Sequence, residues 1–257
     1  MTETAKVYDS SNPMLSVCMA TYNGENYLRE QLDSILPQLA PEDELVISDD
    51  SSTDRTLEII HSFADDRIRL LTGNRFFSPI YNFENALKQA NGDIIALADQ
   101  DDIWLPDKLA LIRQKLGEKT NRPALVMLDG YIIDANGRRT GQTIFGHKPP
   151  KHGVMANLYD NTFTGCTLAF TRPLLELALP FPPGIPMHDS WLGMLALLNG
   201  EVEFVEARTM EYRRHGANLS KWQRNPLVQI RWRLCLSYQL YRRHVLVKRR
   251  EQNPLKK

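Results

Sequence analysis

Polar and acidic residues follow three short apolar segments in the first half of the chain. The apolar segments span residues 14–21, 44–48 and 93–99. The polar stretches after them are Thr21-Tyr22-Asn23-Gly24-Glu25, Asp49-Asp50-Ser51-Ser52 and Asp99-Gln100-Asp101-Asp102. Carboxylates crowded at one place repel each other, so a cation or ligand donors must compensate their charge. If the three stretches meet in the fold, they predict a metal site.

A simpler interpretation of these residues stays open at this point. Asp-rich turns after strands often only cap the next helix, and Asp49 to Asp54 fit that role. Asp99 and Asp101, however, are two residues apart, so in extended backbone both project to one side. The combination of both clusters, in this order, favours a site.

The elements that would position these residues follow from apolar periodicity. Residues 14–21, 44–48, 68–71 and 93–99 are typical of buried strands, and helical spacing separates them. Such alternation predicts an α/β fold with a mostly parallel central sheet and helices on both faces. Ligands bind beyond the carboxyl ends of such strands, where the polar stretches lie. Residues 124–134 predict another strand, and residues 138–152 a loop.

Composition sets the limits of this interpretation. The 257 residues carry no net charge, with 42% hydrophobic and 24% charged residues, which excludes a disordered chain and a globally nucleic-acid-binding one. Three scattered cysteines without a CxxC pair exclude a disulfide framework and a cysteine zinc site. The polar start and the lack of a bilayer-length apolar stretch favour a cytoplasmic protein. We expect a tail at 1–12 and one large domain at 13–220.

Residues 221–257 form a basic tail in which Glu251 is the only acid. Its apolar residues recur three and four apart and predict one helical stripe: Leu227, Ile230, Leu234, Tyr238, Tyr241 and Val245. A basic amphipathic helix suits the anionic inner face of a membrane. It equally suits packing on its own domain or dimerisation.

Three segments together resemble the family 2 inverting glycosyltransferases of the GT-A fold. They are LSVCMATYNGENYLREQLDSIL, ELVISDDSSTDRT and ANGDIIALADQDDIWLPDKL. The resemblance covers residues 13–220, with a nucleotide-binding half at 13–120 and an acceptor half at 121–220. It implies transfer of a sugar from a nucleotide-diphosphate donor to an acceptor hydroxyl with inversion, in one step and without a covalent enzyme intermediate.

The resemblance also implies roles for individual residues. Thr21, Asn23 and Glu25 would border the nucleotide, and Asp49 and Asp50 would contact the base and ribose. Asp99 would lie by the ribose and diphosphate, and Asp101 would ligate Mg²⁺ or Mn²⁺. A divalent ion stabilises the negative charge of the departing nucleoside diphosphate.

The second half must supply a general base, and Asp189 matches the acidic residue that the family places before a helix. Asp189 would also serve as a helix N-cap. His215 would complete the metal shell, while Arg213 and Arg214 offer an alternative as phosphate partners. Other residues are expected to border the donor or wall the acceptor pocket: Asn82, Trp104, Trp191 and Thr164-Gly165-Cys166. For the two tryptophans a position in the core is an equally open alternative.

The segments HDSW and YRRHGANLS resemble those of bacterial rhamnosyltransferases, which use dTDP-rhamnose for cell-surface polysaccharide. The acceptor implied is a saccharide or lipid-linked saccharide. A nucleotidyltransferase is a rival, but MATYNGENYLRE lacks the glycine-rich phosphate loop with a basic residue that such an enzyme needs. A catalytically inactive carbohydrate-binding scaffold is a second rival, and the intact carboxylates argue against it.

Overall fold

The computed structural model describes residues 13–216 and 226–252. The predicted tail at 1–12 and the predicted domain boundary near 218–225 lie outside these ranges. The division into halves at residue 120 stays a prediction, because one sheet runs through both halves.

Within the described residues nine strands form one sheet. Their bounds are β1 Leu15–Thr21, β2 Glu44–Asp49, β3 Ile68–Leu71, β4 Ile94–Asp99, β5 Ile103–Trp104, β6 Ala124–Ile133, β7 Arg139–Thr143, β8 Leu168–Thr171 and β9 Glu201–Arg213. Across the sheet the order is β3-β2-β1-β4-β8-β6-β9-β5, and β7 pairs with β6.

Helices separate and follow these strands. Their bounds are α1 Leu28–Ile35, α2 Thr56–Ser62, α3 Pro79–Gln89, α4 Lys108–Leu116, α5 Ile144–His147, α6 Val154–Tyr159, α7 Arg172–Ala178, α8 His188–Asn199 and α9 Pro226–Gln252. A short 3-10 turn at Gly165–Thr167 leads into β8.

The strands β3, β2, β1 and β4 are mutually parallel, as the alternation predicted. In β1 every residue except Ala20 is buried, and in β4 every residue except Asp99. Successive side chains point to opposite faces, so burial of both faces requires cover on both sides. The register aligns Thr21 with Asp49 and Ala20 with Asp99. The polar stretches after β1, β2 and β4 therefore meet at one edge.

The second half of the sheet is mixed rather than parallel. Strand β8 runs antiparallel to both β4 and β6, while β6 and β9 are parallel. Apolar periodicity carries no information on strand direction, so the sequence did not distinguish these arrangements. The loop expected at 138–152 was wrong in part, because it contains β7 and α5. The residues of β7 are all polar or glycine and mostly exposed, so backbone pairing with β6 holds the strand without any apolar signal.

The basic tail contains a helix, as predicted, and α9 packs on the domain with one face. Leu236 and Leu240 are buried there. Arg243 donates from Nη1 to the carbonyl oxygens of Leu177 and Leu179 at 2.8 and 2.7 Å. Among residues 13–216 and 226–252, no helix combines the length and the apolar character needed to cross a bilayer.

Candidate active site

An acidic bend follows β4 at the carboxyl edge of the sheet. Its backbone is fixed from α1, where the buried Gln31 donates from Nε2 to the carbonyl oxygen of Asp99 at 2.8 Å. Asp102 is fully buried, and its Oδ1 accepts from the backbone N–H of Arg213 at 2.9 Å. The bend is therefore held between the first helix and the last strand of the sheet.

Asp101 and His215 meet at this bend. The Nε2 of His215 lies 2.7 Å from the Oδ2 of Asp101, and both side chains are partly exposed. The His215 ring also stacks on Tyr27, with ring centroids 5.0 Å apart. The two residues predicted as metal ligands are thus adjacent, and a carboxylate oxygen with an imidazole nitrogen is a donor set that suits Mn²⁺.

Arg213 braces the same bend from β9. Its Nε donates to the carbonyl oxygen of Asp101 at 2.8 Å, and its Nη2 donates to Glu30 at 2.6 Å. The guanidinium is buried and lies over the Tyr27 ring, 4.6 Å from its centroid. The phosphate-binding alternative for Arg213 is therefore wrong, because burial and these bonds commit its charge to the protein.

Burial and mutual repulsion shift the pKa values of the carboxylates. The pKa of Asp99 is raised to about 7 by burial first, and then by the charges of Asp101 and Asp189. The pKa of Asp102 is raised well above its usual range by burial and by Asp101. Carboxylates whose pKa values are raised in this way need a nearby positive charge to be ionised at neutral pH, which supports a cation at the bend.

One internal counter-charge is Lys108, which sequence reasoning missed. Its side chain is buried, and its Nζ donates to the carbonyl oxygen of Cys166 at 2.9 Å while lying over the Trp104 ring at 4.1 Å. Burial lowers the pKa of Lys108 to about 8, so the amine stays mostly protonated at pH 7. Lys108 therefore offsets part of the charge of Asp99 and Asp102 and ties α4 to the turn before β8.

A second group of ligating atoms lies deeper. Oxygens of Asp99 and Asp102 and the Sγ of Cys166 lie within 4.8 Å of one another. Burial and the neighbouring carboxylates raise the pKa of the Cys166 thiol well above its usual value, so the thiol stays protonated. A buried neutral thiol is a poor ligand for Mg²⁺ or Mn²⁺. The pair of Asp101 and His215, which is partly exposed, fits such a cation better.

Asp189 faces this edge from the second half of the chain. It lies in the first turn of α8, whose N-cap residue is Met187, so the N-cap alternative is wrong by position. Its Oδ1 accepts from the backbone N–H of Ser190. Asp189 is partly exposed, and its charge contributes to the raised pKa of Asp99. A carboxylate suited to act as a base thus stands beside the acidic bend.

The turn at Gly165–Thr167 separates the bend from α8. A Cβ atom at Gly165 would lie 2.9 Å from the Nε2 of His188, so no larger residue fits without movement. His188 is buried against Phe83, with ring centroids 4.2 Å apart, and burial lowers its pKa to about 3. The glycine and the neutral imidazole allow α8 to approach this turn closely. The Thr164-Gly165-Cys166 segment therefore lies between α8 and the acidic bend.

The nucleotide-side residues fall into two groups. Thr21 and Asp49 are buried and hydrogen-bonded to each other at 3.0 Å. Asp50 is also buried, and its carboxylate accepts the backbone N–H groups of Phe76 and Ser78. These carboxylates hold loops, and their contact with a nucleotide stays a prediction.

Asn23 and Glu25 lie in the more open part of the loop after β1. The Oδ1 of Asn23 accepts from the backbone N–H of Thr53 at 2.8 Å, and φ of Asn23 is 48°. Glu25 accepts from Arg55 Nε at 3.3 Å. Asparagine adopts this left-handed conformation more readily than most other non-glycine residues, which suits it to the turn after β1.

Two exposed aromatic residues border the same edge and were missed by sequence reasoning. Tyr22 exchanges two hydrogen bonds with Gln100 through its backbone, which leaves its ring 51% exposed. Phe77 is 78% exposed, has φ of 49°, and lies between the two backbone N–H groups that Asp50 holds. Their exposed rings are candidates for stacking on a nucleobase.

Other predicted pocket residues lie in the interior. Trp104 and Trp191 are buried, and Trp191 donates from Nε1 to the carbonyl oxygen of Ala178 at 3.0 Å. Both are core residues, so their assignment to the pocket wall was wrong. Asn82 is buried as well and donates from Nδ2 to the carbonyl oxygen of Thr21 at 3.0 Å. Asn82 therefore fixes the end of β1.

The chain is an α/β protein with an open sheet, and proteins of this class bind their ligands at the carboxyl edge, where its polar groups gather. The family model described as Glycosyl transferase family 2 matches residues 16–173, which is more than half of the chain. The chain belongs to this family and is a glycosyltransferase.

Two curated relatives agree with this assignment. The chain is 30% identical over 240 residues to "dTDP-rhamnosyl transferase RfbG" of Shigella flexneri, with 83% of this chain and 80% of the relative covered. It is 29% identical over 194 residues to "UDP-Glc:alpha-D-GlcNAc-diphosphoundecaprenol beta-1,3-glucosyltransferase WfgD" of Escherichia coli, with 75% and 73% covered.

Solved structures confirm the GT-A fold. TarS 1-349 of S. aureus in complex with UDP-GlcNAc has a TM-score of 0.66 at 22% identity, over 95% of this chain and 76% of that one. The mannosyltransferase PcManGT of Pyrobaculum calidifontis, in complex with GDP-Man and Mn²⁺, has a TM-score of 0.59 at 21% identity, over 80% and 59%.

Proposed function

We propose that the protein transfers a sugar from a nucleoside-diphosphate donor to an acceptor hydroxyl in cell-surface polysaccharide synthesis, with inversion at the anomeric carbon. One observation carries the proposal: the turn at Gly165–Thr167 joins Asp189 to the acidic bend. A Cβ atom at Gly165 would lie 3.9 Å from the Cβ of Asp189, and the Sγ of the next residue, Cys166, lies within 4.8 Å of carboxylate oxygens of Asp99 and Asp102. A base on one side and a cation site on the other are what a one-step displacement needs.

Each residue at the edge has a part in this proposal. Asp189 accepts the proton of the acceptor hydroxyl while that oxygen attacks the anomeric carbon. Asp99 lies by the ribose and diphosphate, and Arg213 keeps the bend in place. Thr21, Asn23, Glu25, Asp49 and Asp50 form the nucleotide side of the site.

Asp101 and His215 hold a divalent cation in this proposal. The cation supplies charge stabilisation for the departing nucleoside diphosphate. Their fit rests on the 2.7 Å separation of two ligand atoms and on the crowding of the neighbouring carboxylates. Imidazole favours Mn²⁺ over Mg²⁺, so we propose Mn²⁺ as the preferred ion.

For the donor we propose dTDP-rhamnose, and UDP-glucose is the alternative. The similarity to the relative named as a dTDP-rhamnosyl transferase covers more of this chain than the similarity to the glucosyltransferase. Thymine differs from uracil by one methyl group, which supports only a modest discrimination. A direct comparison of donors is therefore needed.

For the acceptor we propose a lipid-linked saccharide at the cytoplasmic face of the membrane. The glucosyltransferase relative is named for a diphosphoundecaprenol-linked acceptor. The site of this chain would then work close to a bilayer.

The test is release of free nucleoside diphosphate from dTDP-rhamnose, UDP-glucose and UDP-GlcNAc, with Mn²⁺, Mg²⁺ or EDTA. We expect one donor to be cleaved in the presence of metal and faster with a GlcNAc-diphospholipid acceptor, and we expect NMR to detect an inverted anomer. Pyrophosphate formation would indicate a nucleotidyltransferase instead. No turnover of any nucleotide sugar, with or without the acceptor, would favour an inactive scaffold.

A further inference from the structure

Helix α9 carries apolar residues on two opposite faces. One face, with Leu236, Gln239 and Leu240, is buried against the domain. The other face is the predicted stripe, and it stays open: Leu227 is 73%, Leu234 67% and Tyr241 68% exposed. Packing on the domain therefore does not use the stripe, and the self-packing alternative does not account for these residues.

Helix α6 packs beside α9 and carries further exposed apolar residues. Arg233 of α9 donates to the carbonyl oxygen of Tyr159 at 2.5 Å and lies over the Tyr159 ring at 4.8 Å. Met155 and Tyr159 are one helical turn apart on α6, and both are largely exposed. The α6–α9 face, as we name it, consists of Met155, Tyr159, Leu227, Ile230, Leu234, Tyr238 and Tyr241.

Positive charge borders this face. Arg231 and Arg242 are exposed on α9, and the guanidinium of Arg242 lies 5.7 Å from the centroid of the Tyr238 ring. Along α9, from Pro226 to Gln252, the sequence contains seven Lys or Arg residues and one acid, Glu251. Two copies of this helix would bring like charges together, whereas an anionic surface would attract them.

We propose that the α6–α9 face docks on an anionic bilayer surface, with α9 lying along the interface. Its aromatic and aliphatic side chains enter the headgroup region while Arg231 and Arg242 contact lipid phosphates. The biological role of this docking rests on the proposed function, because docking brings the enzyme to a lipid-linked acceptor. The surface itself is defined by exposure and charge alone.

The test is flotation of the full chain with vesicles of phosphatidylcholine alone or with 30% phosphatidylglycerol. We expect binding to the anionic vesicles only, and loss of binding at 0.5 M NaCl, because salt screens charges at the surface. The stripe variant Leu234→Ser, Tyr238→Ser, Tyr241→Ser and the charge variant Arg231→Glu, Arg242→Glu should each lower the bound fraction by at least about tenfold.

Controls separate docking from other effects. Leu198→Ser removes an exposed apolar side chain of α8 and should bind as the unchanged chain does. Thermal unfolding checks that every variant is folded. Release of nucleoside diphosphate without a lipid acceptor should be unaffected in the stripe variant, so a failed transferase assay and failed docking are distinguishable.

Two results would overturn the inference. One is equal flotation of the stripe variant and the unchanged chain, or no flotation of either. The other is a dimer in sedimentation velocity that the stripe variant converts to a monomer, which would assign the α6–α9 face to a second copy of the chain.

Discussion

The Nε2 of His215 lies 2.7 Å from the Oδ2 of Asp101, although 114 positions separate them in the chain. Asp101 belongs to the bend after β4, and His215 follows the end of β9. Both strands reach the same edge, and Arg213 ties them by donating to Asp102 Oδ1 and to the carbonyl oxygen of Asp101. The proposed metal site is therefore assembled at the carboxyl ends of two strands, β4 and β9, that lie far apart in the sequence.

Replacing His215 tests its part in that site. We expect His215→Ala to weaken Mn²⁺ affinity about 10-fold or more, because one ligand is lost while Asp101 remains. His215→Gln should retain part of the affinity through its amide oxygen and shift the preference toward Mg²⁺. Titration of Mn²⁺ and Mg²⁺ against donor cleavage measures both effects. His147→Ala is the matched control, and an equal loss in that variant would reject a specific role for His215.

Replacing Asp189 tests the base. Asp189→Asn keeps the shape of the side chain but removes its ability to accept a proton. We expect the kcat of transfer to fall by about 100-fold or more, the usual contribution of general base catalysis. Donor binding in the presence of Mn²⁺, measured by thermal shift, should stay within about twofold. Transfer at the unchanged rate in Asp189→Asn would discard the assignment.

Replacing Arg213 tests whether the bend must be held in place. Arg213→Met removes the bonds to Asp101 and Glu30 but leaves the backbone bond to Asp102. Loss of a group that orients metal ligands commonly costs about 10- to 100-fold in metal affinity, and we expect a change in this range. Arg213→Lys should restore part of it.

The control for Arg213 is Arg139 of β7. Arg139 binds Glu211 of β9 at the surface, lies over the Tyr131 ring and is half exposed. Arg139→Met should leave Mn²⁺ affinity unchanged. If Arg213→Met lowers thermal stability without changing the Mn²⁺ titration, Arg213 has only a structural role.

Replacing Phe77 tests nucleobase stacking. An aromatic side chain that stacks on a base contributes about 1–3 kcal/mol, so Phe77→Ala should raise the KM for the donor by about 5- to 150-fold with little change in kcat. Phe77→Tyr should behave as the unchanged enzyme does. Tyr81→Ala, which alters a less exposed aromatic side chain of α3, is the control. An unchanged KM in Phe77→Ala would place the base elsewhere.

Much of the fold could be predicted because the strands of the first half are short apolar runs. Burial of β1 and β4 on both faces produces that pattern directly. Strand β7 could not be predicted, since its polar residues lie in an exposed strand paired only with β6. The direction of β8 could not be predicted from the sequence either, because side chains alternate with the same period of two in antiparallel and parallel strands.

The site was predictable in its residue types but not in its buried charges. Phosphate binding by Arg213 was left open as an alternative because a basic residue near a diphosphate site suggests that role, and the burial of its guanidinium argues against it. Lys108 was overlooked, although Lys108 and Ile112 are one helical turn apart and both lie on the buried face of α4. A lysine at an apolar position of a helix is the signal that would have found it.

The central claim is that Asp101 and His215 hold a divalent cation required for transfer. Its most direct test is binding of the donor's nucleoside diphosphate, measured by calorimetry with Mn²⁺ and with EDTA, in the unchanged chain and in Asp101→Asn. We expect Mn²⁺ to strengthen binding at least about 10-fold in the unchanged chain and to have no effect in Asp101→Asn. Equal Mn²⁺ enhancement in both proteins, or full sugar transfer in EDTA, would contradict the claim.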